Sequence, residues 1–222
     1  MGKLMVIDGL DGCGKSTQLD LLDKALTARG ETYRQISFPD YNQASSALVK
    51  MYLSGELGGS PNAVNAFAAS SFYAVDRYAS YKRFWQKDYE DGTPIVAARY
   101  TTSNAIHQMT KCDESEWDSY LQWLEHYEYN LLGLPRPDRV IFLDMPLEVS
   151  QNLLKKRYEG DEEKKDIHER DVSYLQKCRK AALYAAWKLG WTVLTCSENG
   201  APLNPETIHQ NLLSCYDQMK GE

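Results

Sequence analysis

Gly9-Leu10-Asp11-Gly12-Cys13-Gly14-Lys15-Ser16 fits the pattern Gly-x-x-x-x-Gly-Lys-Ser without a mismatch, and no other stretch of the chain narrows the fold as much. An apolar run, Leu4 to Ile7, precedes it. An amphipathic stretch follows, with Leu19, Leu22 and Leu26 on one face and Gly30 as its stop. A strand, a glycine turn and a helix in this order make a phosphate cradle, the P-loop of a phosphotransferase. Glycines let successive backbone N–H groups turn toward phosphate oxygens, and the N-terminus of the following helix adds a favourable dipole. Lys15 is placed to reach the β- and γ-phosphates of ATP and Ser16 to offer its hydroxyl to Mg²⁺, with Thr17 completing the nucleotide-binding run. Cys13 reads as a small residue that fits the loop rather than as a reactive thiolate.

Five short apolar runs read as strands: Leu4 to Ile7, Tyr33 to Phe38, Ile95 to Ala98, Val140 to Leu143 and Thr192 to Cys196. Helical stretches separate them, including helices over Tyr52 to Tyr89 and another over Asp113 to Leu132. Strands alternating with helices predict an α/β P-loop fold, a five-stranded parallel sheet with helices on both faces. No repeat, low-complexity tract or linker divides the chain, so one domain is expected over residues 1–222. The stretch Lys155 to Asp171 holds six cations against seven anions. It reads either as a solvated helix–loop–helix or as a helical lid whose cations meet phosphates.

The formal net charge is −6, which argues against a polynucleotide partner but leaves mononucleotides open, since one local cationic site suffices for them. The five cysteines show no Cys-x-x-Cys spacing, so neither a zinc site nor a redox motif is expected. Their odd number and the absence of a signal-peptide pattern favour a reducing, cytoplasmic setting. The apolar runs are strand-sized, so no membrane association is expected. No Asn-Lys-x-Asp guanine-reading motif follows a later strand, and the chain is too short for most motor ATPases.

Beyond the P-loop come FPD at Phe38 to Asp40, YAVDR at Tyr73 to Arg77, ARYTTSNAIHQ at Ala98 to Gln108 and LPRPDRVIFLDMPLEV at Leu134 to Val149. With the VIDGLDGCGKSTQ opening and the charged segment before an aromatic-rich helix, the chain resembles the thymidylate kinase family nearly end to end. The resemblance implies transfer of the ATP γ-phosphate to dTMP with Mg²⁺, and a homodimer. It implies that Asp11 bonds the deoxyribose 3′-hydroxyl, Arg99 contacts the acceptor phosphate and the transferring group, and Arg77 donates to a base carbonyl. Phe38 and Tyr73 would lie against the substrate, Tyr73 stacking on the base, while Ser103, Asn104 and Gln108 line it. Arg157 would be the lid arginine and, with Lys15 and Arg99, part of the catalytic set. Gly12 stands where some relatives carry an arginine, so the catalytic arginine is expected from the lid.

The residues alone leave alternatives. Arg77 could be a surface arginine paired with Asp76, Tyr73 plain helix core, and Gln108 a solvent-facing amide. Ala98 replaces an aspartate common in the family, so the acid for Mg²⁺ is expected from Asp8 or, second, Asp144. Tyr41 follows Phe38-Pro39-Asp40 where many relatives have an arginine nearby, leaving Arg99, and Lys50 if it points inward, for the acceptor phosphate. Leu153 replaces a lid-base arginine, leaving Lys155, Lys156 and Arg157 to serve. A kinase for another mononucleotide or deoxynucleoside, or a nucleotide-binding module without efficient transfer, are the competing functions.

Overall fold

The computed structural model describes residues 1–157 and 172–221. Strand β1 (Leu4–Asp8) leads through the glycine loop into helix α1 (Lys15–Ala28), followed by β2 (Arg34–Ser37), α2 (Ala47–Leu53) and α3 (Ala66–Ser80). A wide π turn, Tyr81–Trp85, joins α3 to α4 (Gln86–Glu90), and β3 (Ile95–Ala98) and α5 (Thr101–His107) come next. Helix α6 (Trp117–Glu125) runs into a second π turn, His126–Leu131, before β4 (Arg139–Asp144) and α7 (Leu147–Arg157). The chain closes with α8 (Val172–Leu189), β5 (Thr192–Thr195), β6 (Ser197–Glu198), β7 (Ala201–Pro202) and α9 (Pro205–Gly221).

Strands β1 to β5 form one parallel sheet in the order β2-β3-β1-β4-β5. The five apolar runs are thus the five strands of the main sheet. Central β1 pairs with β3 and β4 on either side and is buried along its whole length because both faces of the sheet are covered. Its side chains alternate between two cores, as the period of a strand requires. Met5 and Ile7 pack with Leu19, Leu22 and Leu26 of α1 and with Leu212 and Tyr216 of α9. Leu4 and Val6 pack on the other face with Trp85, Tyr100 and Leu134. Helix α1 stops as its sequence predicts: Gly30 takes φ +67°, and the Glu31 N–H reaches back to Leu26 O at 3.0 Å.

The helix expected over Asp113 to Leu132 is composite. Asp113 and Glu116 form a capping box on a tight turn, α6 follows, and the chain then widens so that the Leu132 N–H bonds Tyr127 O, five residues back. The antiparallel β6–β7 pair was not anticipated, because two residues per strand carry no readable period. Among the described residues no helix is long and apolar enough to cross a membrane. Residues 158–171, most of the expected lid, lie outside the described residues.

Candidate active site

The glycine loop leaves the C-terminal edge of β1, the edge at which parallel α/β sheets take their ligands. Leu10 and Cys13 turn their side chains into the interior, so the loop presents mainly backbone outward. Burial raises the Cys13 thiol above its ordinary value despite the lowering pull of Lys15 and Arg99, so it stays a protonated filler. Gly12 has φ +79°, and a Cβ there would lie 2.8 Å from Ser150 O and 2.9 Å from Leu154 Cγ of α7. The helix that leads toward the lid segment therefore rests directly on this glycine, and an arginine at this position has no room. Lys15 Nζ donates to Gly9 O at 2.7 Å and Leu10 O at 2.9 Å, and stands 3.8 Å from Asp11 Oδ1. Ser16 and Thr17 are exposed at the start of α1.

A cavity of about 450 Å³ opens beside the loop and is lined at one end by Asp11, Lys15, Ser16 and Arg99. Arg99 follows β3 with φ +62°, a conformation that costs a non-glycine residue of order 1–3 kcal/mol and that clusters at functional sites. Its N–H donates to Ile7 O at 3.0 Å, which pins the residue across the gap between β3 and β1. The guanidinium donates to Asp11 Oδ1 at 2.5 Å and lies 3.7 Å from Asp8 Oδ1. Burial works to lower its pKa, but the Asp11 and Asp8 carboxylates outweigh that and raise it. Arg99 is therefore a fixed cation at every accessible pH.

The same cavity is also lined by Phe38, Tyr73, Arg77, Asn104 and Gln108. Arg77 is not a surface residue: it has no exposed area, and it grips Glu128 with Nε to Oε2 at 2.7 Å and Nη2 to Oε1 at 2.5 Å. Its Nη1 donates to Tyr100 O at 3.3 Å. Asp76, the expected surface partner, instead accepts from the Asp40 N–H at 2.9 Å and Ser45 Oγ at 2.6 Å, bracing the chain after β2. Removing one member of a buried ion pair costs about 3–5 kcal/mol, so Arg77 and Glu128 stand or fall together. Gln108 is buried rather than solvent-facing, and its Oε1 has no hydrogen-bond partner among the described residues. A buried amide oxygen left unpaired beside a cavity is a group suited to a ligand donor. Tyr73 stands edge-on to Tyr52, ring centroids 6.5 Å apart, and borders the cavity rather than the core alone. Ser103 donates to Asp8 Oδ2 at 2.7 Å and stands 3.5 Å from Arg99 Nη1, so its hydroxyl is engaged with the loop-side residues.

Asp8 is fully buried, and its carboxylate accepts from the Gly9 N–H at 2.8 Å, Thr102 Oγ1 at 2.6 Å and Ser103 Oγ at 2.7 Å. Among the described residues no cluster of three or more His, Cys, Asp or Glu could hold a metal ion. Of the oxygen donors near the loop, Ser16 and Asp11 line the cavity and suit a magnesium ion that arrives with nucleotide phosphates, since that ion takes one or two carboxylates and keeps its waters, whereas Asp8 lies behind them with its oxygens already accepting. Asp144, the second acid considered for the ion, does not line the cavity and is bound side-on by Arg179 of α8 at 2.7 and 2.8 Å. Lys50 is exposed on α2 and does not line the cavity, so the inward orientation considered for it is not realised. Tyr41 does line it. Leu153 packs against the core under α1, and Ala98 ends β3 with its side chain buried. Arg157 closes α7, and its side chain lies outside the described residues.

Two residues of this region had been given no role. His107 lines the cavity with Nε2 3.4 Å from Arg99 Nη1, while its ring stacks on Tyr174 of α8. Glu128 continues the buried stripe Trp117, Leu121, Leu124 of α6 at the next helical step. An acid at a core position demands a buried partner, and that was the signal available in the sequence.

The thymidylate kinase family model matches residues 7–202. Thymidylate kinase of Mycobacterium tuberculosis (strain ATCC 25618 / H37Rv) is 29% identical over 216 residues, spanning 94% of this chain and 96% of that one. A probable thymidylate kinase of Pyrobaculum aerophilum is 28% identical over 193 residues, spanning 87% of this chain and 88% of that one. Among solved structures, a thymidylate kinase from Candida albicans superposes with a TM-score of 0.69 at 20% identity, covering 99% of this chain and 92% of that one.

Proposed function

The chain belongs to the thymidylate kinase family, and from that premise we propose that it transfers the γ-phosphate of ATP to dTMP, giving ADP and dTDP. The observation that carries this reading is one cavity lined both by Lys15 and Arg99 beside the glycine loop and by Arg77, Asn104 and Gln108. A nucleoside monophosphate laid along it puts its phosphate against cations and its base against amides. Phosphoryl transfer needs little else from a protein, because positioning and charge stabilisation supply most of the catalysis.

In this reading the backbone from Gly9 to Thr17 wraps the ATP phosphates, and Lys15 leaves the loop carbonyls to meet them. Arg99 exchanges part of its contact with Asp11 for the acceptor phosphate, which frees Asp11 to orient the sugar 3′-hydroxyl. Tyr73 and Phe38 sandwich the base, Arg77 donates to its carbonyl, and Asn104 and Gln108 read its edge. Ser103 supports this arrangement through Asp8. Arg157 is the proposed lid cation. Mg²⁺, held by Ser16 with Asp8 behind it, would neutralise phosphate charge when bound. The enzyme is proposed to work as a single-domain cytoplasmic homodimer, pairing through the aromatic face of α3 and α6. There Phe67 is 46% exposed and stands edge-on to Trp123 at 4.7 Å.

A panel of nucleoside monophosphates and deoxynucleosides, incubated with ATP and Mg²⁺ and resolved by chromatography, tests the acceptor. dTMP is expected to be preferred by at least about tenfold, equivalent to roughly 1.4 kcal/mol. Preference for another acceptor by that margin would replace this reading. Ala98, in place of an acid, supports one alternative, nucleotide binding with inefficient transfer; ATP bound tightly with no dTDP formed would favour it.

A further inference from the structure

Glu128 has no exposed surface and does not line the cavity, yet it holds two residues that do. Its Oε1 and Oε2 take the Nη2 and Nε of Arg77, and Oε1 also accepts from Asn104 Nδ2 at 3.1 Å. Asn104 Nδ2 donates as well to Ser70 O at 3.2 Å. Both partners of this nitrogen, a carboxylate and a backbone carbonyl, are acceptors only. Flipping the amide would set its oxygen against two oxygens, so the orientation is fixed by chemistry. Asn104 is left with its carbonyl oxygen for the cavity. Arg77, with Nε and Nη2 turned to Glu128, has Nη1 on the other side, where one N–H donates to Tyr100 O at 3.3 Å and the second is left as a donor. Gln108 adds its Oε1, which has no hydrogen-bond partner among the described residues.

One donor beside amide acceptors complements an imide edge, which offers a carbonyl acceptor next to an N–H donor. It opposes the cytosine edge, where an amino donor stands next to a bare ring nitrogen. The carboxylate sits where the chain widens into the His126–Leu131 π turn, a feature frequent at functional sites. We infer that Glu128 is a positioning residue that sets the donor–acceptor polarity of the base end, and with it the preference for an imide base, thymine or uracil, over cytosine. The inference rests on the acceptor reading above. An amide at this position would bring an N–H₂ against Arg77 or Asn104, displacing one or turning the other over.

The test compares wild type, Glu128→Gln and Glu128→Asp in steady-state assays with dTMP, dUMP and dCMP. Glu128→Gln is expected to lower the dTMP-to-dCMP ratio of kcat/KM by at least about tenfold. dUMP should track dTMP, and the KM for ATP should stay unchanged. Glu128→Asp keeps an acceptor-only group and should hold the ratio near wild type while raising the KM for dTMP. A purely structural residue would lower all three activities alike and leave the ratio unmoved, which would overturn the inference. If Glu128→Gln does not fold by circular dichroism, Glu128→Asp decides: a kept preference with a raised dTMP KM supports the role. Unchanged kinetics, or loss of fold in both variants, overturns it. Wild type that discriminates while Glu128→Gln discriminates equally sinks the inference alone; wild type that uses neither dTMP nor dUMP sinks the acceptor reading with it.

Discussion

Lys15 is held by two carbonyls of its own loop, a contact that a polyphosphate would outcompete because it offers full negative charge in place of two dipoles. Lys15→Ala should lower turnover by about 10²–10³-fold or more while the far-ultraviolet circular dichroism stays that of wild type. Substantial remaining activity would remove the lysine from the phosphate site. Lys111 is a second lysine with a physical consequence. It donates to Tyr52 Oη at 2.9 Å and Val64 O at 2.8 Å, and so backs the tyrosine that stands against Tyr73. Burial lowers its pKa from 10.5 to about 8, against a small opposing pull from Cys112. Between those values the unfolded chain binds the proton and the folded chain does not, so this group adds stability as pH rises through the window. The urea midpoint of wild type relative to Lys111→Met should therefore climb from about pH 8 to about pH 10. A flat or falling difference would contradict the burial of the ammonium. The loop residues were legible in the sequence because a phosphate cradle has a fixed spacing. Arg77 stood out in the sequence as a candidate site residue, and it does line the cavity, but its partner was not legible, since Glu128 lies 51 residues away.

At the scale of elements, the contact between the glycine loop and α7 explains Gly12. Its positive φ and the Ser150 carbonyl behind it exclude any side chain. Gly12→Arg should cost at least about 1–3 kcal/mol in denaturant unfolding, from backbone strain alone, and should push α7 off the loop. A variant as stable as wild type would contradict the close approach. The strands were readable to within a residue or two, most plainly β1 and β3, because fully buried parallel strands are continuous apolar runs, as in Ile95–Ala98, while edge strands β2 and β5 alternate half-buried and exposed residues. The segment after Asp113 was readable as helical but not as three successive geometries. A π turn arises from how the segment packs, and the spacing of Trp117, Leu121 and Leu124 gives no warning of it. Asp144, at the end of β4, pairs with Arg179 of α8, a partner 35 residues further along that its own strand gives no sign of.

For the whole molecule, the proposed pairing makes a solution prediction. Phe67→Glu puts charge into the exposed α3–α6 aromatic face and should shift sedimentation from dimer to monomer, while a mass unaltered from wild type would exclude this face. The overall architecture was legible because alternation of strands and helices admits few topologies. The site was legible where charge or glycine spacing marked it, and hidden where a buried partner completed it, as Glu128 does for Arg77. What joins these scales is a single cavity lined by cations beside the glycine loop and by amides, which the proposed function fills with the acceptor's phosphate and base. Its central claim is best tested by following label from γ-³²P-ATP in the presence of dTMP and Mg²⁺. The account predicts that label accumulates in dTDP, one ADP appearing for each dTDP. Label released as inorganic phosphate, or remaining in ATP while ATP is bound, would contradict it.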